Sequence, residues 1–521
     1  MINIDKGDIK YPLFLGTDIG TYGTKSCLVD ASGKILATSF IETDILTPRL
    51  GWAEQWPDVW WRAYRESVVQ IIKKSSVNPS DIAGISISGF SPSIISVDKY
   101  FKPIRPALIW MDRRAVEEAS WVKKTIGEDE IFKKTGNVID PYFGFPKVLW
   151  LKRKEPNNWR KVHKIFSTQG YIIYKLSNTI CIDHSTAGNF GGIYDIHKRE
   201  WCESLMDELG IPPSVFPEKI NMSKDVVGEV SKEAAELTGL HKGTPIVAGG
   251  VDAPVSALAA TALGEGDFVS MIGTSMCNGV IQEKLRLSRK LVSYPYVAYD
   301  LKMTYSYTGI STAGAILRWF RDNLIPYEKS ILNNYGLPTY KLLDRLATKV
   351  SPGANGLVFM PHMSIGERAP FWSSSMRSCL FGLTLSHARE HIYRAFLEAV
   401  AYALKYCMEI IMEIGLPIRR IILVDGGARS QIWRQIIADV IGRTILYKED
   451  VLGAPLGDAL LAAVGTGYAT YEKINEWVNI DQAVHPNLSN TSIYEKYYKL
   501  YLKLYECLDE CYELAEDLNL R

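Results

Sequence analysis

The chain has 521 residues, too many for one hydrophobic core, and this length implies two or three domains. Hydrophobic residues make up 47% and charged residues 22%, an ordinary globular balance. Lys plus Arg number 59 against 58 Asp plus Glu, so there is no net field to gather nucleic acid or an anionic membrane, and a small, locally held ligand is expected. Eight cysteines without a CxxC pair argue for reduced thiols and a cytoplasmic setting. Residues 1–10 lack an apolar signal core, and no stretch long enough to span a membrane is free of charges or several glycines.

Residues 13–38 read as three short strands separated by turns, an N-terminal meander. Gly20 and Gly23 let the backbone close around a small group. Thr21, Thr24 and Lys25 supply hydroxyl and cationic donors suited to phosphate oxygens, and Asp18 stands at the mouth. The segment is not a Walker loop, because Thr24 and not a glycine precedes the lysine. Pro57-Asp58 opens a helix over 60–74, with Trp56, Trp60 and Trp61 expected in the core. Strands are expected at 82–88 and 94–97 and a helix at 116–126. Val247-Ala248 then runs into Gly249-Gly250-Val251-Asp252, which delivers one carboxylate into a segment of small residues. Alone, such an aspartate is more often a turn former or helix N-cap.

Residues 266–281 repeat the theme of strand, Ile-Gly-Thr turn and strand, with Gly273, Thr274 and Ser275 in the turn. The chain therefore reads as a duplication, one domain over 1–256 and the other over 257–521. A long helix over 392–414, a strand over 419–424 ending at Gly426 and Gly427, and a helix over 430–441 continue an alternating α/β pattern. The glycine-rich run 453–459 is expected to pack behind the 426–427 turn. The tail places Ile493, Tyr497, Tyr501, Leu504, Leu508, Cys511, Ala515 and Leu518 on one stripe of a docked helix, with Cys507 and Cys511 buried.

Three segments are similar to motifs of the FGGY family of carbohydrate kinases. Asp18-Ile19-Gly20-Thr21 with Lys25 resembles the first phosphate motif, Ile272-Gly273-Thr274-Ser275 the second, and Asp425-Gly426-Gly427-Ala428-Arg429-Ser430 the adenosine motif. Gly51-Trp52-Ala53-Glu54-Gln55 and Trp110-Met111-Asp112-Arg113-Arg114 resemble the sugar-side segments, and 378–398 the later signature. The resemblance runs from residue 13 to the C-terminal helix. It implies an α/β fold of the duplicated actin- and hexokinase-like (ribonuclease H-like) kind, two domains with a cleft between them. It also implies ATP-dependent phosphorylation of a primary hydroxyl of a small sugar, with ATP and Mg²⁺ as cofactors, Asp252 as the catalytic base and Asp18 as the metal residue. The nucleotide would fall to Thr21, Thr24, Lys25, Gly273, Thr274, Ser275, Gly426, Gly427, Ala428 and Ser430. The sugar would fall to Trp52, Glu54, Gln55, Phe90, Ser91, Trp110, Asp112 and Asp252. Ion pairing with Arg113 and Arg114 is the competing use of Glu54 and Asp112.

Departures from the family pattern bear on the substrate. Gly144 stands where Ser, Thr or Pro usually precedes the signature lysine, here Lys147, and Phe396 is bulkier than usual. Ser88-Gly89-Phe90-Ser91-Pro92-Ser93 replaces the Gly-Gln-Met-His-Gly stretch typical of xylulokinases and lacks the Arg-Glu-Thr of glycerol kinases. The overall resemblance favours a pentulose such as D-xylulose. The alternatives are ribulose, fuculose, erythritol or glycerol as acceptor, or a non-catalytic sugar sensor. His387-Ala388-Arg389-Glu390-His391 matches the H-x-x-E-H pattern of zinc peptidases, which is short enough to arise by chance. Sugar and ATP are the expected partners, without nucleic acid or membrane, and a homodimer is an open assembly.

Overall fold

In the computed structural model, which describes residues 9–364, 366–448, 451–480 and 482–517, the expected meander forms as β1 (Leu13–Gly20), β2 (Gly23–Asp30) and β3 (Ile35–Glu42). β4 (Ile82–Gly89) pairs parallel to β1. With β5 (Val226–Glu229) and β6 (Pro245–Val247) they make a six-stranded sheet in the order β5-β6-β4-β1-β2-β3. β1 and β4 lie in its middle and are buried nearly throughout, which is why both are runs of apolar and small residues instead of alternating ones. α1 (Pro57–Ser75) has Pro57 and Asp58 in its first turn and buries Trp60, Tyr64, Val68 and Ile71 at helical spacing. Each of those side chains stabilises the unit by roughly 1.5–3 kcal/mol on leaving water. Trp61 shares this core. Trp56, expected there too, is exposed, because it precedes Pro57 and lies off the buried face of the helix. α2 (Thr168–Ser177), α3 (His184–Asn189) and α4 (Asp252–Ala259) follow.

The second repeat builds a second sheet. β7 (Asp267–Ile272) pairs antiparallel with β8 (Met276–Gln282) and parallel with β9 (Arg420–Val424), beyond which come β10 (Ile445–Tyr447) and β11 (Gln482–Val484). Both repeats are thus a tight hairpin whose first strand has a parallel partner on its other side. α5 (Gly314–Asn323), α6 (Arg389–Glu413) and α7 (Gln431–Ile441) belong to this half.

The chain divides into two units, but not at a single cut after residue 256. Unit 1 runs to Gly264 and adds Ile281–Ser306 and Leu452–Asn479; unit 2 holds Glu265–Val280, Tyr307–Val451 and the chain from Ile480 onward. The late return to unit 1 is made by α8 (Ala454–Gly465). A Cβ on Gly16 of β1 would lie 1.9 Å from the Pro455 carbonyl oxygen, and one on Gly457 would lie 2.2 Å from that of Val255 in α4. Within unit 1 the 453–459 run therefore packs on β1 and α4.

α9 (Leu488–Asp517) docks as expected, but on a rotated face. Tyr494, Tyr498, Tyr501, Leu504 and Tyr512 are buried, whereas Ile493, Cys507 and Cys511 are exposed; Leu518 lies outside the described residues. Tyrosine prevails because its hydroxyl finds partners inside, Tyr494 donating to Glu398 at 2.9 Å and Tyr498 to Glu409 at 2.5 Å. No described helix is long and apolar enough to cross a membrane.

Candidate active site

β1 and β6 both run parallel to β4, so their C-terminal ends share one edge of the unit 1 sheet. Ile19 stands opposite Gly89, and Gly89 bridges to Val251. The Gly89 amide donates to the Gly250 carbonyl at 3.1 Å, and the Phe90 amide to that of Ile19 at 3.2 Å. Asp18 on β1 and Asp252 at the start of α4 thus follow the two strands flanking β4, two strand spacings or roughly 10 Å apart. Both are partly exposed, and Asp252 Oδ1 accepts the Ala253 amide at 2.7 Å.

Behind Asp18 stands a residue that sequence reasoning missed. Ser88 Oγ lies 3.5 Å from Asp18 Oδ1 and donates to Asp458 Oδ2 at 2.6 Å; Asp458 also accepts the Ser88 amide at 3.1 Å and the Ser86 hydroxyl at 3.3 Å. Burial pushes the Asp458 carboxyl well above the usual carboxylate range, against its bonds from Ser88, and the charge on Asp18 adds to the rise. Its signal in the sequence was an acid inside the otherwise apolar run 454–465. The partly exposed Asp18 carboxylate, with Ser88 and Asp458 behind it, offers oxygen donors of the kind magnesium accepts.

The β1–β2 turn is held from the side. Gln55 Nε2 donates to the Thr21 carbonyl at 3.0 Å, and the Trp110 indole N–H to Thr21 Oγ1 at 2.9 Å. Thr24 is buried with its hydroxyl unpartnered, and Lys25 Nζ donates to the Leu452 carbonyl at 3.2 Å. Beside this edge Phe90 packs edge-on against Trp60, and the Ser91 carbonyl accepts the Tyr142 hydroxyl at 3.3 Å.

In unit 2 the Gly273-Thr274-Ser275 turn is at the surface, with Thr274 exposed. α5 starts beneath it. The Gly314 amide donates to the Gly273 carbonyl at 2.9 Å, and a Cβ on Gly314 would lie 2.5 Å from that oxygen. Arg318, one turn along α5 and also missed from sequence, donates to Thr274 Oγ1 at 3.3 Å and puts a cation beside the turn. β9 ends at Asp425, whose φ of 68° is in the left-handed region, and Gly426–Arg429 form a tight turn before α7. Ser430 caps α7, accepting the Trp433 amide at 3.2 Å and donating to Asp344 at 2.8 Å, and Ala428 is buried. An exposed turn with a hydroxyl and a guanidinium, next to a strand that ends on two glycines, suits an anionic, flat-based ligand such as ATP.

Residues 13–259 match the FGGY family of carbohydrate kinases, N-terminal domain, and residues 268–466 match the C-terminal domain of the same family. The chain belongs to the FGGY family of carbohydrate kinases. It is 31% identical over 460 residues to a gluconokinase of Bacillus subtilis (strain 168), covering 87% of each chain. A xylulose kinase of the same organism is 28% identical, over 93% of this chain and 95% of its own. The crystal structure of xylulose kinase from Rhodospirillum rubrum superposes with a TM-score of 0.86 at 28% identity, over 96% of this chain and all of that one.

In this FGGY kinase the edge of unit 1 brings together Asp18, Thr21, Phe90, Ser91, Trp110 and Asp252. Trp52, Glu54, Gln55 and Asp112, expected on the sugar side, are engaged with protein partners in this structure. Asp112 is fully buried and accepts the Ala53 amide at 2.7 Å and the Arg114 guanidinium at 2.7 Å. Glu54 pairs with Arg105 and, at 2.8 Å, with Arg114. The Arg114 guanidinium lies 3.6 Å from the centre of the Trp52 ring. Gln55, bonded at the Thr21 and Asp44 carbonyls, also accepts the Trp60 indole N–H. Arginines thus pair with Glu54 and Asp112 and cover Trp52, as buried carboxylates need a cation. The histidines of the H-x-x-E-H match serve the start of α6: His387 binds Thr384 and the Asn355 carbonyl, and His391 accepts the Ala388 amide. Among the described residues no three of His, Cys, Asp and Glu gather as a metal site.

Proposed function

We propose that this kinase transfers the γ-phosphoryl group of ATP to a primary hydroxyl of a pentulose such as D-xylulose, with Asp252 as general base and Asp18 holding Mg²⁺. The observation that carries the reading is Asp252 itself, a partly exposed carboxylate at the first turn of α4 and across β4 from Asp18. Asp252 takes the proton of the sugar hydroxyl as its oxygen bonds to the γ-phosphorus; the bond from phosphorus to the bridging oxygen breaks and ADP leaves. Mg²⁺, when bound, neutralises phosphate charge. Within unit 1, Thr21 is the phosphate-side residue and Phe90, Ser91 and Trp110 form the sugar's surroundings; within unit 2, Thr274, Ser275 and Arg318 suit phosphate oxygens and Gly426 suits the base. A cytoplasmic setting, where ATP and reduced thiols coexist, goes with this reading.

Gluconate is the second reading, favoured by the Bacillus subtilis relative. Its carboxylate would need a cation. Two cations of this region are engaged, Arg113 with Asp140 at 2.5 and 3.0 Å, and Lys147 with the carbonyls of Pro141, Tyr142 and Phe143. That supports a neutral acceptor. The test is ADP release with D-xylulose, D-ribulose, L-fuculose, D-gluconate, erythritol and glycerol, for the parent and Asp252→Ala. D-xylulose is expected to give the highest kcat/KM, and the substitution to lower turnover by about 10²–10⁴-fold with ATP binding unchanged. Faster turnover of gluconate would replace the pentulose, near-parental turnover by Asp252→Ala would remove the base, and no stimulation by any compound would favour a sensor.

A further inference from the structure

The turn that delivers Asp252 is gripped on two sides. On one side lies β4. Gly249 has a φ of 67°, a Cβ there would lie 1.9 Å from the Ile87 carbonyl oxygen, and the Gly250 carbonyl accepts the Gly89 amide. On the other side, the last amide before the helix, that of Val251, donates to Ser185 Oγ at 3.0 Å. A Cβ on Gly250 would lie 2.9 Å from the same oxygen, so glycine is what lets the turn come this close.

Ser185 is itself locked. Its hydroxyl donates to Asp183 Oδ1, leaving its lone pairs for Val251. Asp183 is buried, and its two oxygens also accept the Ser185 amide at 2.9 Å, the Thr186 amide at 3.1 Å, the Thr186 hydroxyl, and Gln169 Nε2 at 2.9 Å. As N-cap of α3, Asp183 needs only the two amides. The Ser185 hydroxyl adds nothing to a six-residue helix, and its reach across 66 positions of sequence to Val251 is not explained by capping.

We propose that Ser185, held by Asp183, is a positioning residue for Asp252: it fixes the Val251 amide and with it the start of the helix that carries the base. The inference rests on the reading of Asp252 as base. A misplacement of about 1 Å at a reacting group costs on the order of 10²-fold in rate. Ser185→Ala removes the acceptor of the Val251 amide and should lower kcat by about 10–100-fold, with KM for ATP within about twofold and melting within a few degrees. Asp183→Asn keeps the volume but loosens the serine, and should lower kcat by a smaller factor in the same direction.

The test measures kcat, KM for ATP and melting for Ser185→Ala, Asp183→Asn, Asp252→Asn and the Ser185→Ala/Asp252→Asn pair. Addition of Ser185→Ala to Asp252→Asn should leave the residual rate unchanged, because the group that Ser185 positions is gone. If Ser185→Ala does not fold, Asp183→Asn decides alone. Folded single variants with kcat within twofold of the parent would overturn the inference, as would a loss that multiplies unchanged in the Asp252→Asn background. If Asp252→Asn turns over like the parent, the base reading fails, and that result is separate from the behaviour of Ser185.

Discussion

His184 sits beside Ser185 and shows what burial does to a titratable side chain here. Its Nδ1 is 2.9 Å from the Tyr194 hydroxyl, and burial, followed by the charge of Arg199, brings its pKa down from 6.5 to about 4. A pKa lowered on folding means that the unfolded chain binds the proton more tightly between those values. This part of the stability is complete above pH 6.5 and is lost as pH falls toward 4, about 3 kcal/mol in all. His184→Gln should therefore flatten the fall in melting temperature between pH 6.5 and 4 that the parent shows; parallel curves would mean that another group titrates. Lys147 is shifted the same way but has different partners. Burial lowers it to about 7, yet it faces the Pro141, Tyr142 and Phe143 carbonyls, and three acceptors require the three N–H bonds of an ammonium. Lys147→Met strands those acceptors and should cost about 3–5 kcal/mol, read as a fall in melting temperature. At this scale the placement of Asp18 and Asp252 at one sheet edge was legible because each stands near glycines toward a strand end. Asp458 and Ser185 were not, because what defines them is a partner far away in sequence.

Elements were legible where one face decides them. The meander, α1, α6 and α7 lie within about four residues of their expected bounds because apolar spacing, turns and, for α1, a proline mark them. α9 was turned because Tyr494, Tyr498 and Tyr512, off the expected stripe, find hydroxyl partners inside, which apolar spacing alone does not weigh. Glycine pairs were harder to apportion between packing and function, and Gly426 and Gly427 now separate. A Cβ on Gly427 would lie 2.6 Å from Ile272 Cβ, so that glycine is demanded by packing, but one on Gly426 would only touch the Ile272 carbonyl at 3.5 Å. Gly426→Ala should fold normally and, if the base lies against it, raise KM for ATP by about tenfold; an unchanged KM would place the base elsewhere. Gly16→Ala should instead cost at least about 3 kcal/mol, seen as lost soluble protein, since its Cβ meets backbone that cannot step aside.

For the whole molecule, the repeated Ile-Gly-Thr turn announced two related halves and the structure supplies both sheets. What no pattern in the chain could show is that Leu452–Asn479 returns to unit 1, because an apolar helix does not say which sheet it will cover. A chain truncated after residue 448 should accordingly fail to melt cooperatively in unit 1 by near-ultraviolet circular dichroism; a sharp transition would show that α8 is dispensable. The interleaving also sets a clock. Ribosomes add about 5–20 residues per second, so the stretch from Glu265 to Val451 takes roughly 10–40 s to emerge. For that interval the newborn β1 presents to water the surface that α8 will cover, an apolar face prone to aggregation until the helix arrives.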